Sequence, residues 1–155
     1  MAENRGKAFE NIIKQAFEKV PGVSIDRLHD QMTGYKVTSA NICDFIVYKK
    51  PCEYYIECKS VHGNTLPFSN ITANQWNGML EKSKIDGVFA GVICWWIDKD
   101  VTKFIPIKAL QWNKENDYKS IRYDHNGTSF IEIKGKKKRV FWDYDMTTFF
   151  KEVST

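Results

Sequence analysis

The sequence predicts an α/β (α+β) domain with a mixed central sheet, flanking helices and a C-terminal hairpin region, on three observations. Phe9, Ile12, Ile13, Ala16, Phe17 and Val20 recur at helical spacing, the pattern of an amphipathic helix with one buried face. Further on, two extended stretches, Ile42 to Tyr48 and Cys52 to Lys59, precede a helical stretch and then the apolar run Gly87 to Ile97. A strand, a helix and a second strand make a βαβ unit, so the last run is expected to lie parallel to the strand before the helix. From Ser120 onward, short extended segments alternate with turn residues, which reads as hairpins.

Size and charge bound the possibilities. With 155 residues, 43% of them hydrophobic, the chain suffices for one core and not for two comfortable domains. A single domain over 1–155 is expected, with a core over about 4–112 and hairpins plus a short helix over about 118–153. The formal net charge of +4 suits an anionic partner without identifying one. The four cysteines, 43, 52, 58 and 94, show no CxxC spacing and no paired histidines. They are expected to be reduced structural thiols in a cytoplasmic protein. No signal-like segment opens the sequence, and no run approaches the about 18 apolar residues of a membrane span. The Asn-x-Thr triplets at Asn70 and Asn126 are therefore not expected to carry glycans.

Taken in order, the first helix is expected from Asn4, as N-cap, to Val20, with Pro21-Gly22 as its stop. Glu10 falls at the margin of the buried stripe, beside Gly6, Ile13 and Phe17; a solvated helix glutamate is the alternative. Arg5 and Lys7, one turn earlier, are phosphate contacts or ordinary surface charges. Val23 to Arg27 reads as a short strand, followed from Leu28 to Asn41 by turns near Asp30 and Thr33-Gly34. Arg27, Lys36, Thr38 and Ser39 offer hydrogen-bond donors of the kind that read phosphate oxygens, although an ordinary loop has the same composition. His29, without a partner, is assigned no catalytic part.

The segment NICDFIVYKKPCEYYIECKS, Asn41 to Ser60, is the centre of the chain. Both arms are rich in aromatic and β-branched residues, and Lys49-Lys50-Pro51 is turn chemistry. A turn centred on Lys50 and Pro51 sets Tyr48 opposite Glu53 and Asp44 opposite Glu57. Side chains so placed have Cβ atoms about 5 Å apart, and two carboxylates there repel unless a cation lies between them. A divalent metal supplies that charge. Lys59, two residues beyond Glu57, shares its face, while Ile56 and Cys58 point to the other.

After a loop at 62–67, a helix is expected from a cap at Asn70 or Thr72 to about Lys84, with Trp76, Met79 and Leu80 inward and Gln75 as polar trim or a site residue. Gly87 to Ile97 reads as a fully buried central strand. Thr102 to Ile105 is a further strand and Pro106 to Trp112 a short helix. Ile121 to Asp124 and Phe130 to Ile133 flank Asn126-Gly127, a hairpin signal, and Val140 to Trp142 follows. The run Lys134 to Arg139 holds five basic residues, either a solvated loop or, through Lys136 and Lys137 among them, a contact to the phosphates of an anionic partner. Asp145 is expected to cap a last helix containing Phe149 and Phe150.

Asp44 with Glu57-Cys58-Lys59 resembles the D…(D/E)xK signature of the PD-(D/E)xK nucleases. Together with Asn4-Arg5-Gly6-Lys7-Ala8-Phe9-Glu10, ECKS at 57–60, Asn64-Thr65-Leu66-Pro67-Phe68 and Gln75, it is similar to the RecU-type Holliday junction resolvases, phage-encoded members included, over about residues 4–112. The resemblance implies a restriction-endonuclease-like core and a Mg²⁺-dependent endodeoxyribonuclease, with Mn²⁺ as a substitute, that resolves four-way DNA junctions as a homodimer. It implies Asp44, Glu57, the Cys58 main-chain carbonyl and, directly or through water, Glu10 around the metal, with Lys59 and Gln75 completing the catalytic set. Other readings stay open: a PD-(D/E)xK enzyme cutting other DNA, a DNA-binding recombination factor with little cleavage, or an interaction domain without a nucleic-acid role. Exposed aromatics, Trp95, Trp96 or Phe68, are candidate dimer-interface residues if they are not core.

Overall fold

The structure, a computed structural model, describes residues 2–153 apart from positions 30, 34, 35, 40, 126, 128, 139 and 140, with the backbone alone at 2–4, 31–33 and 36–39. Its elements are α1 (Ala2–Glu18), β1 (Val23–Arg27), β2 (Gln31–Thr33), β3 (Lys36–Ser39), β4 (Phe45–Lys49), β5 (Cys52–Val61), β6 (Thr65–Pro67), α2 (Ala73–Lys82), β7 (Val88–Trp96), β8 (Val101–Pro106), α3 (Ile107–Glu115), β9 (Ser120–Arg122), β10 (Ile131–Glu132), β11 (Gly135–Lys137), β12 (Trp142–Tyr144) and α4 (Thr147–Val153). Single 3-10 turns at Phe68–Asn70 and Ile97–Lys99 precede α2 and β8.

A six-stranded sheet in the order β1-β4-β5-β7-β8-β10 forms the centre. Among the described strands of this sheet, β5 and β7 run parallel, joined across α2, and the other neighbours are antiparallel. This is the expected α/β class with a mixed sheet. Alternation along β5 and β7 divides the apolar side chains between two layers. Tyr54, Ile56, Cys58, Ile93 and Trp95 pack with Phe9, Ile13 and Phe17 of α1 and Phe149 and Phe150 of α4. Tyr55, Val92, Cys94 and Trp96 pack on the other face with Trp76 and Met79 of α2 and Leu110 of α3. Burial on both faces is why Val88 to Trp96 is apolar almost throughout.

The central hairpin has the expected register, with Tyr48 opposite Glu53 and Phe45 opposite Ile56. The Lys50-Pro51 peptide in its turn is cis. β4 begins at Phe45, later than the expected Ile42, because residues 42–44 bend away before the ladder starts.

Other expectations are corrected. Asn4 lies inside α1, which begins by Ala2, so it is not the N-cap. The stretch after Leu28 is not turns alone, since β2 and β3 pair across it; Asp30 and Gly34 fall outside the described residues. Among the described residues, the segments flanking Asn126-Gly127 do not pair with each other. β9 pairs with β6, which buries Ile121 against Leu66, and β10 takes the edge of β8, which sets Ile131 beside Phe104. Asn126 itself falls outside the described residues. The lysine run is not a loop throughout, because Gly135–Lys137 pairs with Trp142–Tyr144; Arg139 and Val140 are not described. Trp95, Trp96 and Phe68 are buried in the chain's own core and are not surface interface material. All four cysteines are free and buried. Among the described residues, no helix is long and apolar enough to cross a membrane.

Candidate active site

The two-residue period of β5 carries Tyr55, Glu57 and Lys59 to the α2 face of the sheet, where Glu57 is only 3% exposed. A carboxylate that deep is stable only if donors or cations meet it. Two donors meet one of its oxygens: Oε2 accepts from Lys59 Nζ at 3.1 Å and from Gln75 Nε2 at 3.1 Å. The other oxygen, Oε1, is buried and meets no hydrogen-bond partner among the described residues.

Asp44 stands at the entrance to β4, and the bend before it is pinned on both sides. Its N–H donates to the Ile56 carbonyl at 3.0 Å, and its own carbonyl accepts from the Leu28 N–H at 2.8 Å. Its side-chain Oδ2 accepts from the Cys58 N–H at 2.8 Å. The main-chain group of Cys58 that touches an acid is thus its amide.

Glu10 reaches Asp44 from the far layer, off the margin of α1. Burial, and next the charge of Asp44, push the Glu10 carboxyl up to about 7 against the opposing pull of Arg27 and Lys7. Burial and then Asp44 push Glu57 up to about 8, with Lys59 opposing. Glu10, Asp44 and Glu57 therefore form a chain of mutually repelling carboxyls with Asp44 in the middle, and each proton retained there is a charge that a cation could neutralise instead.

Among the described residues, no three His, Cys, Asp or Glu side chains already converge as a closed cage. The donor set nevertheless fits a hard divalent cation. It consists of carboxylate oxygens without histidine, it contains a buried oxygen no donor reaches, and it is partly open, as suits an ion that keeps several waters.

Gln75 is held at both ends. It is the third residue of α2, whose N-cap is Thr72. Thr72 Oγ1 accepts from the Gln75 N–H at 3.2 Å, and Gln75 Oε1 accepts from the Thr72 N–H at 3.1 Å, a capping box. With its oxygen so engaged, the amide nitrogen points to Glu57.

Two contributors had escaped sequence reasoning. A Cβ on Gly78 would lie 2.2 Å from Ile42 Cγ2, so glycine lets α2 lie against the bend that delivers Asp44. Such a glycine inside a helix, at a cost of about 1 kcal/mol relative to alanine, was the available signal. Cys43, buried beside both acids, has its thiol pushed up first by burial and then by the charges of Glu57 and Asp44, and it donates to the Phe45 carbonyl at 3.3 Å.

The residues expected to touch phosphate are dispersed. Lys7 is exposed and close enough to influence Glu10, and Arg5 is partly buried on the same helix. Arg27 is engaged in the fold: Nη2 donates to Asn11 Oδ1 at 2.8 Å and the guanidinium lies over the Phe45 ring. Lys36, Thr38 and Ser39 belong to β3, where only the backbone is described. Lys136 is exposed on β11, and the neighbouring Lys137 is paired with Asp100. A cavity of about 840 Å³ lined by Phe89, Phe104, Phe130 and Val153 includes none of the candidate residues.

No protein-family model matches the chain, and no curated protein matches it. Among solved structures it is similar to that of Hjc from Archaeoglobus fulgidus, a Holliday junction resolvase from an archaeal hyperthermophile, at 18% identity and a TM-score of 0.49, over 66% of this chain and 78% of that one. At those values the likeness is loose.

Proposed function

We propose that the protein is a Mg²⁺-dependent endodeoxyribonuclease of the PD-(D/E)xK type, with a restriction-endonuclease-like core, that resolves four-way DNA junctions. The observation that carries the hydrolytic reading is the state of Glu57: one oxygen saturated by Lys59 and Gln75, the other buried, partnerless and next to a second acid. Asp44 and Glu57, with the Cys58 carbonyl and Glu10, would hold Mg²⁺ or Mn²⁺. When bound, the ion supplies Lewis-acid stabilisation of phosphate charge and acidification of a water.

The chain's own groups do the rest. Lys59, 22% exposed at its side chain, holds Glu57 by one proton and has others to offer a phosphoryl oxygen as negative charge grows on it. Gln75 fixes the Glu57 carboxylate plane. Glu10, whose carboxyl burial and the charge of Asp44 push up to about 7, keeps or releases its proton according to what cation is present. Lys7, Arg5 and Lys136 provide sequence-independent attraction for the DNA backbone. Branched DNA as substrate and a homodimer, whose twofold axis matches that of a junction, come with the resemblance of the Glu10, ECKS and Gln75 motifs, while a cytoplasmic location is read from the four unpaired cysteines.

Cleavage of four-way, flapped and linear duplex DNA, with and without Mg²⁺, tests this reading on wild type and Glu57→Ala. Mg²⁺-dependent cutting of the junction alone, abolished by Glu57→Ala, is expected. Equal cutting of linear DNA would leave a nuclease without junction specificity, and unchanged activity of Glu57→Ala would remove the enzyme reading.

A further inference from the structure

The capping box at the start of α2 does more than satisfy a helix end. In such a box the third side chain reaches back to the N-cap N–H, and glutamate serves as well as glutamine. Here the third residue must also donate to a carboxylate, which only the amide can do. Gln75 Oε1 on the Thr72 N–H and Gln75 Nε2 on Glu57 Oε2, both at 3.1 Å, use the two ends of one rigid planar group. A flip of that amide would set its oxygen against Glu57 and lose both bonds.

We propose that the main-chain N–H of Thr72 is a positioning group for the metal site: it locks the Gln75 amide, which with Lys59 occupies Glu57 Oε2 and leaves Oε1 as the oxygen free for a cation. This deepens the function proposed above and rests on it. Groups that orient a metal ligand in this way typically change metal affinity or activity by 10–100-fold when removed.

The backbone offers a clean way to delete one N–H. Thr72 has φ −67° and ψ 158°, and Ile71 before it has φ −103° and ψ 118°. A proline at 72 adopts the first, and the second is the region that residues preceding proline prefer. Thr72→Pro therefore removes both the hydroxyl cap and the N–H, whereas Thr72→Ala removes the hydroxyl alone.

The metal-free proteins are compared first by the ¹H–¹⁵N signals of the Gln75 side-chain amide. These are expected to be dispersed and slow to exchange in wild type and Thr72→Ala, and to collapse towards solvent-exposed values in Thr72→Pro. Titration calorimetry with Mg²⁺ is then expected to give at least about 10-fold weaker binding for Thr72→Pro, against less than about 3-fold for Thr72→Ala. In a Gln75→Ala background the proline is expected to add less than about 2-fold, since the two act as one unit. A cap with a purely structural role predicts equal losses for Thr72→Ala and Thr72→Pro and an undiminished effect without Gln75, and either result would overturn the proposal. If wild type binds no Mg²⁺, the metal site itself has failed and this inference with it; if wild type binds and the two variants match, only the positioning role has failed. Should Thr72→Pro not fold, an ester in place of the peptide bond between Ile71 and Thr72 deletes the same N–H, and the comparison is made with it.

Discussion

Glu57→Gln is expected to make the metal-free protein more stable at pH 8 while abolishing cleavage. Glu57 is buried, and its carboxyl rises from 4.5 to about 8 in the folded state, chiefly through burial and then through Asp44. A group whose folded pKa lies above its unfolded value binds more protons folded than unfolded. Its contribution is therefore most favourable below about pH 4.5 and is lost as pH rises to about 8. At about 1.4 kcal/mol per tenfold in proton affinity, that displacement corresponds to a loss of roughly 5 kcal/mol. Glu10 titrates in the same direction over part of the same window. A glutamine at 57 carries no charge to desolvate, keeps an oxygen for Lys59 and Gln75, and offers an N–H₂ to Asp44. Allowing for the lost ion pair with Lys59, a gain of about 3 kcal/mol at pH 8 is expected, shrinking towards zero at pH 5. Urea unfolding of wild type and Glu57→Gln at pH 5, 6.5 and 8, in the presence of a chelator, measures it. Saturating Mg²⁺ is expected to stabilise wild type at pH 8 and not the variant. A wild-type stability that is flat between pH 5 and 8, or a Glu57→Gln variant less stable at pH 8, would refute the account of Glu57 as a buried acid whose partners only partly offset its desolvation.

Three further outcomes follow from the same geometry. Lys59→Met is expected to lose about 100-fold in single-turnover junction cleavage at saturating Mg²⁺, as for removal of one preorganised donor to a transition state; calorimetry reads separately the Mg²⁺ affinity lost with its hold on Glu57 Oε2. Gly91→Ala places a Cβ 2.4 Å from the Ile105 carbonyl oxygen and 2.7 Å from the Phe104 ring in the centre of the sheet, so it is expected to destabilise by about 3 kcal/mol in urea titration. Lys136→Ala is expected to reduce the salt dependence of junction binding by about one counterion, and Lys137→Ala, whose ammonium is paired with Asp100, by less; binding isotherms at several salt concentrations read both.

The readings that succeeded were those in which neighbouring residues carry the information. Helical spacing identified α1 and α2, alternation placed Glu57 and Lys59 on one face, and the short turn at Lys50-Pro51 set the register of β4 on β5. Periodicity and tight turns act over a few residues, so they are written locally. The short strands were a different matter. Three residues such as Ser120–Arg122 can pair with many edges, and the hairpin signal at Asn126-Gly127 lost to the burial of Ile121 over Leu66 and of Ile131 beside Phe104.

By itself the sequence determined the α/β class, the central hairpin with its register, and the acids and lysine that share one end of it. Only the tertiary structure decided that Glu10 crosses from the opposite layer to Asp44, that Gly78 lets α2 press on the bend before Asp44, and that Gln75 spans from its own helix cap to Glu57. The physical reason is range. A strand or helix period is enforced by bonds and sterics a few residues long, whereas the partner of a buried polar atom is whichever group the packing of distant segments brings within about 3 Å.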